Sequence, residues 1–385
     1  MLKRTGVRFG VVIQLGLLIL AVNHSALSQT VTKLWSVDLS KDQDFQRRSQ
    51  AQDANLRPPT LDFLTDDQII VAFDDNAVST PSPGMTPFGF HVLSVGASSG
   101  GLNRKLSFKV LLDTSQAEAT GDGNFLVLAG EELKKFSSSL EEVASLATPL
   151  ELHGQATEQR TGGRSYFNPR YETWQMDVAP GGRELVLAHT KNPHVMEVSW
   201  LRTSDFTTIA TAEGEPSGQQ GMSAGSQAVW LFPDGWAKLL SSSGQELTLC
   251  NRCLRGYFLT DDLVFLDERD KYEVKTVSGE KRASGKLKLE GFKFCRAANA
   301  TRFAYATGHY EGSGFPLKTH FAARMLVRVF DWNAMKQADE ISFDRPEQPK
   351  NSASSGFKET AIALSPDGHR LLVLNGSVLN LYRVK

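Results

Sequence analysis

The chain has 385 residues, a formal net charge of −1, 41% apolar and 22% charged residues, and only three cysteines. That composition excludes a disordered or collagen-like chain, a basic nucleic-acid binder and a disulfide-built scaffold. Length alone suggests two or three domains, at roughly 100–200 residues each.

The N-terminus reads as an address. Lys3, Arg4 and Arg8 precede an apolar run from Phe9 to Val22, and Ala26 and Ser28 are small residues suited to cleavage after Ser28. Residues 1–28 are therefore expected to be a signal peptide, and the chain is expected in the periplasm or outside the cell. The run is short for a membrane span of ~20 residues, and no Cys follows it to carry a lipid anchor. No later segment is long and apolar enough to span, so no membrane insertion is expected after cleavage. Cleavage would leave 39 Lys and Arg against 43 Asp and Glu over residues 29–385.

The rest of the chain shows short runs of Val, Leu, Ile and Phe bounded by Gly, Pro, Asp and Asn, with almost no helical periodicity. An apolar strand, a tight polar turn and a stronger apolar strand recur along it. Copies lie at Leu61–Phe73, Ala117–Leu128, Met176–Ala188, Gly218–Phe232, Tyr257–Leu266, Phe292–Tyr305 and Thr360–Leu374. The fourth is the faintest and is expected to turn at Ser223-Ala224-Gly225. In the last, Ser365-Pro366-Asp367-Gly368 supplies a preset φ, an Asx bond and a residue tolerant of positive φ.

Two further strands follow most copies, for example Met196–Leu201 with Thr207–Thr211, and Tyr272–Val277 with Lys281–Leu287. Four antiparallel strands per unit make a propeller blade. Residues 360–385 supply only three strands, and Val31–Leu39 is a lone strand. Pairing the two would complete the last blade and hide its edge. The expected fold is all-β: one domain over residues 29–385, a seven-bladed β-propeller closed by the N-terminal strand. Six blades is the alternative.

The stretches Leu364-Ser-Pro-Asp-Gly-His-Arg-Leu-Leu-Val373 and Ala179-Pro-Gly-Gly-Arg-Glu-Leu-Val-Leu187 resemble the inner-strand motif of WD-repeat-like propellers common among exported bacterial proteins. No Trp-Asp dipeptide accompanies them. The resemblance implies a fold and carries no catalytic residue.

Blade topology places the 1–2 and 3–4 turns on one face. The 2–3 loops and the blade-to-blade connections fall on the other. The first face receives tight turns at Asp66-Asp67, Pro180-Gly181, Ser278-Gly279 and Pro366-Asp367. The second receives the long segments 40–58, 75–89, 153–173, 307–323 and 344–358. Long loops on one side of a rigid scaffold are the usual place for recognition.

The richest loop offers Arg160, Arg164, Tyr166, Arg170 and Tyr171 as candidate ligand-binding residues. Guanidinium groups bind carboxylates or phosphates, and exposed Tyr stacks on peptide or sugar. In the same stretch Trp174 is expected to begin an inner strand and to be core. Residues 307–323 add His309, Tyr310, Lys318, His320 and Phe321.

Catalytic signatures fail on context. Gly221-Met-Ser-Ala-Gly225 matches a nucleophile elbow in letters but has no helix after it. The eight His never take metal-ligand spacing, and neither a Ca²⁺-loop nor a phosphate-loop motif occurs. Asp66-Asp67 and Asp261-Asp262 occupy matching turns, which explains both pairs. Cys250-Asn-Arg-Cys253 is expected to form a local disulfide, leaving Cys295 as a buried thiol. No catalytic residue, metal or cofactor is expected. The leading reading is a monomeric binding or protein-interaction module whose partner is a protein, peptide or glycan, not nucleic acid. The alternatives are a hydrolase or lyase at the channel mouth and a structural part of an envelope assembly.

Overall fold

The computed structural model describes residues 31–50, 59–75, 88–110, 115–149, 157–161, 164–168, 173–192, 195–215, 222–231, 237–250, 253–268, 271–286, 291–297, 301–310, 322–334, 336–344 and 360–385. Strand β1 (Thr32–Asp38) is followed by a 3-10 turn and helix α1 (Gln43–Gln50). Blade 1 comprises β2 (Thr60–Phe63), β3 (Gln68–Asp75), β4 (Phe88–Gly96) and β5 (Leu102–Val110). Blade 2 comprises β6 (Ser115–Ala119), β7 (Phe125–Ala129), β8 (Glu132–Phe136) and β9 (Glu142–Ala147). A separate hairpin, β10 (Thr157–Thr161) and β11 (Arg164–Asn168), precedes blade 3. That blade holds β12 (Thr173–Val178), β13 (Glu184–Asn192), β14 (Val195–Arg202) and β15 (Thr208–Gly214).

Blade 4 comprises β16 (Met222–Ala224), β17 (Ala228–Leu231), β18 (Lys238–Ser241) and β19 (Glu246–Leu247). Blade 5 comprises β20 (Arg255–Phe258), β21 (Leu263–Asp267), β22 (Lys271–Thr276) and β23 (Lys281–Lys286). Blade 6 comprises β24 (Gly291–Arg296), β25 (Arg302–Tyr310), β26 (Ala322–Asp331) and β27 (Lys336–Asp344). Blade 7 takes β28 (Thr360–Leu364), β29 (Arg370–Asn375) and β30 (Val378–Arg383) from the C-terminus and β1 from the N-terminus, in the order β1-β30-β29-β28. All pairings are antiparallel, with Thr32 opposite Arg383 and Asp38 opposite Val378 in the closing pair. The fold is a seven-bladed β-propeller, so the six-blade alternative is set aside.

Among the described residues seven apolar clusters fill the ring, one between each pair of neighbouring blades. The second strand of each blade explains why. In β3, Ile69, Val71 and Phe73 face blade 7 while Ile70 and Ala72 face blade 2. In β13, Leu185 and Leu187 face blade 2 while Val186 and Ala188 face blade 4. A strand sandwiched on both faces reads as an unbroken apolar run, which is the stronger half of each sequence repeat. Each fully buried Leu, Val or Phe contributes about 1.5–3 kcal/mol.

Two details differ from expectation. The faint fourth repeat turns at Gly225-Ser226-Gln227, because Met222, Ser223 and Ala224 are paired in β16 with Leu231, Trp230 and Val229. The 40–58 segment contains α1, which is too short to show a helical period. Asp42 caps it, its carboxylate accepting the N–H groups of Asp44 (3.0 Å) and Phe45 (3.1 Å), and Phe45 anchors it in the core between blades 7 and 1. The turn at Pro180-Gly181-Gly182 has a steric cause. Gly182 has φ +69°, and a Cβ there would lie 1.8 Å from the Thr120 carbonyl of the neighbouring blade.

Candidate functional site in the central channel

The first strand of every blade lines the axis, and its axis-facing N–H groups have no fifth strand to bond to. Those buried donors need another acceptor. The blades align on a turn hydrogen bond that recurs at Leu64, Thr120, Ala179, Gly225, Leu259, Ala297 and Ser365. Two residues earlier stand Asp62, Glu118, Asp177, Ser223, Tyr257, Cys295 and Ala363.

This position supplies the missing acceptor. Asp62 accepts from Ala119 N–H (2.8 Å), Glu118 from Val178 N–H (3.0 Å), Asp177 from Ala224 N–H (2.5 Å) and Ser223 from Phe258 N–H (3.2 Å). The Cys295 sulfur is hydrogen-bonded in the same way by the Leu364 backbone. Tyr257 instead stacks on Phe294 at 4.3 Å. Five of the seven blades are thus tied to the next by a hydrogen bond to this position, the exceptions being Tyr257, which stacks, and Ala363.

Three of these groups are carboxyls on consecutive blades, and one cation faces them. Arg296 reaches from blade 6 across the axis, donating to the Val178 carbonyl of blade 3 at 2.6 Å. Around it lies a cavity of about 380 Å³, edged by Gly121, Pro180, Gly181 and Pro366, so it opens towards the tight-turn face. The carboxyls are enclosed by protein yet keep partial contact with this space.

Enclosure penalises charge. Burial raises Asp62 to about 6, although the amides of Ala119 and Phe63 and the charge of Arg296 pull it down. Burial, then the charges of Asp177 and Asp62, push Glu118 well above the usual carboxyl range. Asp177 is also raised by burial but is held down by Arg296, by Ala224 N–H and by its bond with Glu118. Glu118 is therefore the protonated partner, donating to Asp177 while its other oxygen accepts Val178 N–H.

The expected ligand residues lie elsewhere. Arg160, Arg164 and Tyr166 fall on the β10–β11 hairpin, opposite Ser165, Thr161 and Gln159 respectively, with their side chains outside the described residues. Arg170 and Tyr171 lie wholly outside them, as do Lys318, His320 and Phe321. Trp174 does begin the inner strand of blade 3, half-buried, stacked on His189 at 4.0 Å and donating to the Pro149 carbonyl. The Cys250 and Cys253 sulfurs are 1.99 Å apart, a disulfide separation, and Cys295 is a free thiol that is half-buried at the channel cavity instead of fully buried, its enclosure still raising its pKa. Ser223, the centre of the nucleophile-elbow match, is a strand residue acting as an acceptor. Asp66 and Asp261 are turn residues bonded to Arg370 and to Ser226 N–H.

Sequence reasoning missed Asp62, Glu118, Asp177 and Arg296. The signal for the acids was present: Leu61-Asp62-Phe63, Ala117-Glu118-Ala119 and Met176-Asp177-Val178 each place an acid between apolar residues, at one register position of aligned repeats.

No family model matches the chain, and no curated protein matches it in sequence. Among solved structures it is similar to a chain of one described as "Crystal Structure of Mitotic Checkpoint Complex", with a TM-score of 0.51 and 11% identity over 92% of this chain and 96% of that one. It is also similar to one described as "The crystal structure of BamB from Moraxella catarrhalis", with a TM-score of 0.41 and 10% identity over 92% of this chain and 100% of that one. At such identities the first likeness is one of fold alone.

Proposed function

We propose that the chain is an exported binding and protein-interaction module that engages a protein, peptide or glycan through the face carrying its long connections. The observation supporting this reading is the asymmetry of the ring. Described turns of one face are a few residues long, whereas the 2–3 and blade-to-blade connections include α1 and the β10–β11 hairpin. Arg160, Arg164, Tyr166, Arg170 and Tyr171 fall within twelve consecutive residues of the sequence, the first three on the hairpin. Export through residues 1–28 is part of the proposal, and a paired Cys250 and Cys253 suits an oxidising compartment.

A photo-crosslinking residue placed in turn at Gln159, Ser165, Asp66 and Ser278, in the native host, tests the face. Adducts from the two hairpin positions support the reading. Adducts only from Asp66 and Ser278, or from none, overturn it. The enzyme alternative has the channel cavity and its three carboxyls in its favour. Against it, all three already accept backbone N–H bonds that join blades.

A further inference from the structure

Blade 1 holds a second polar cluster, away from the axis, where the ends of β3 and β4 meet α1. We propose that Asp44, Asp75 and His91 form a binding site for a divalent transition-metal ion. One donor atom from each residue lies within 4.8 Å of the other two. Metal–ligand bonds of about 2.0–2.2 Å place tetrahedral donors roughly 3.3–3.6 Å apart, so small side-chain movements close the set.

His91 supplies the nitrogen donor of the set, with its Nδ1 3.5 Å from Asp44 Oδ2 and its Nε2 facing Asp75. It is only 5% exposed. Its Nδ1 is 2.9 Å from Ser107 Oγ on the next strand, the kind of outer contact that orients a metal-binding imidazole. Its Nε2 stands 3.1 Å from Asp75 Oδ2 without the alignment of a hydrogen bond. In the tautomer that carries its proton on Nδ1, Nε2 is free to ligate an ion held by Asp75. Gly89 keeps that space open: a Cβ there would lie 2.4 Å from Asp75 Oδ1 and 2.6 Å from His91 Nε2.

The carboxylates are at present neutralised by two long arms. Arg47 pairs with Asp44 and, at 2.8 Å, with Asp75, while Lys105 pairs with Asp44 and, at 3.2 Å, with Asp42. The Arg47 side chain is half exposed and that of Lys105 is 28% exposed. A divalent ion carries the combined charge of these two ends, so the exchange conserves charge and returns both to water. One imidazole with two carboxylates suits Zn²⁺, Co²⁺ or Mn²⁺ better than Ca²⁺ or Mg²⁺, which prefer all-oxygen sites. A bound ion would fasten α1, and with it the connection from the closing strand, to blade 1.

Calorimetric titration of tag-free, chelator-stripped protein with Zn²⁺ and Co²⁺ tests this. The expected result is one ion per chain, a visible Co²⁺ absorption band and a raised Tm. Lys105→Met should bind roughly tenfold more tightly, since a competing ammonium is gone, and Asp44→Asn at least roughly tenfold more weakly. His91→Gln should lose the Co²⁺ band. The Asp44 side chain is 15% exposed and lies outside the apolar core, so Asp44→Asn reads binding even if His91→Gln fails to fold. Absence of Co²⁺ binding in both the wild type and Lys105→Met overturns the proposal. So does binding unchanged by Asp44→Asn.

Discussion

Asp62 does two jobs at once: it joins blades 1 and 2 through Ala119 N–H and carries a charge that enclosure resists. With its pKa lifted from 3.8 to about 6, the folded chain keeps a proton that the unfolded chain has already released between those values. Asp62 therefore makes stability fall as pH rises from about 4 to about 6, and the loss persists above. Asp62→Asn retains an oxygen for Ala119 N–H, gives up the second oxygen that accepts Phe63 N–H at 3.1 Å, and removes the charge. It should raise Tm by roughly a few °C above pH 6 and flatten the Tm–pH curve between pH 4 and 7, measured by circular dichroism. A variant melting lower than the wild type at pH 7.5 would contradict this account.

Glu118 offers the complementary case. Glu118→Gln can accept Val178 N–H and donate to Asp177, so its stability should lie within about 1 kcal/mol of the wild type. Glu118→Ala orphans a buried N–H and should cost about 1–3 kcal/mol in denaturant unfolding. Equal losses in the two variants would show that the hydrogen bonds are not the reason for the residue. That an acid occurs between apolar neighbours at positions 62, 118 and 177 was legible in the repeats. Its partner was not, because Ala119, Val178 and Ala224 belong to the following repeat, some 60 residues away for the first two bonds and nearly 50 for the third.

Among elements, β1 determines whether the ring is closed. Its burial alternates between exposed and half-buried, as befits the outer strand of a blade. Trp35 Nε1 donates to the Ala97 carbonyl of blade 1 at 2.7 Å, so the strand also touches the neighbouring blade. A chain starting after Leu39 would leave β30 with an unpaired edge. It should lose the cooperative melt of the chain starting at Gln29 or self-associate, and light scattering with thermal unfolding would distinguish the two. An unchanged monomeric melt would mean that closure adds little stability. The lone strand and the three-stranded C-terminal unit were readable because each was incomplete by itself. Helix α1 was not, since its cap and its Phe45 anchor become visible only when the chain turns back over blade 1.

At the scale of the whole molecule, length suggested several domains, whereas the chain forms a single ring. Its core is divided among seven inter-blade clusters, so added residues extend the circle or its loops instead of starting a second core. Among the described residues no helix is long and apolar enough to cross a membrane. The proposed export has a direct check: the intact mass of protein purified from the native host should correspond to a chain beginning at Gln29. A mass including residues 1–28 would refute cleavage.

By itself the sequence determined the four-stranded repeat and most of the tight turns and narrowed the ring to six or seven blades, because alternation and turn chemistry act within about fifteen residues. Only the tertiary structure decided what the inner-strand acids do, that Arg296 crosses the axis, and that His91 meets Asp44 and Asp75. Each joins residues from different strands, blades or connections. The physical reason is that burial and partnership at those positions are created by closing the ring, and no local pattern encodes which blade faces which.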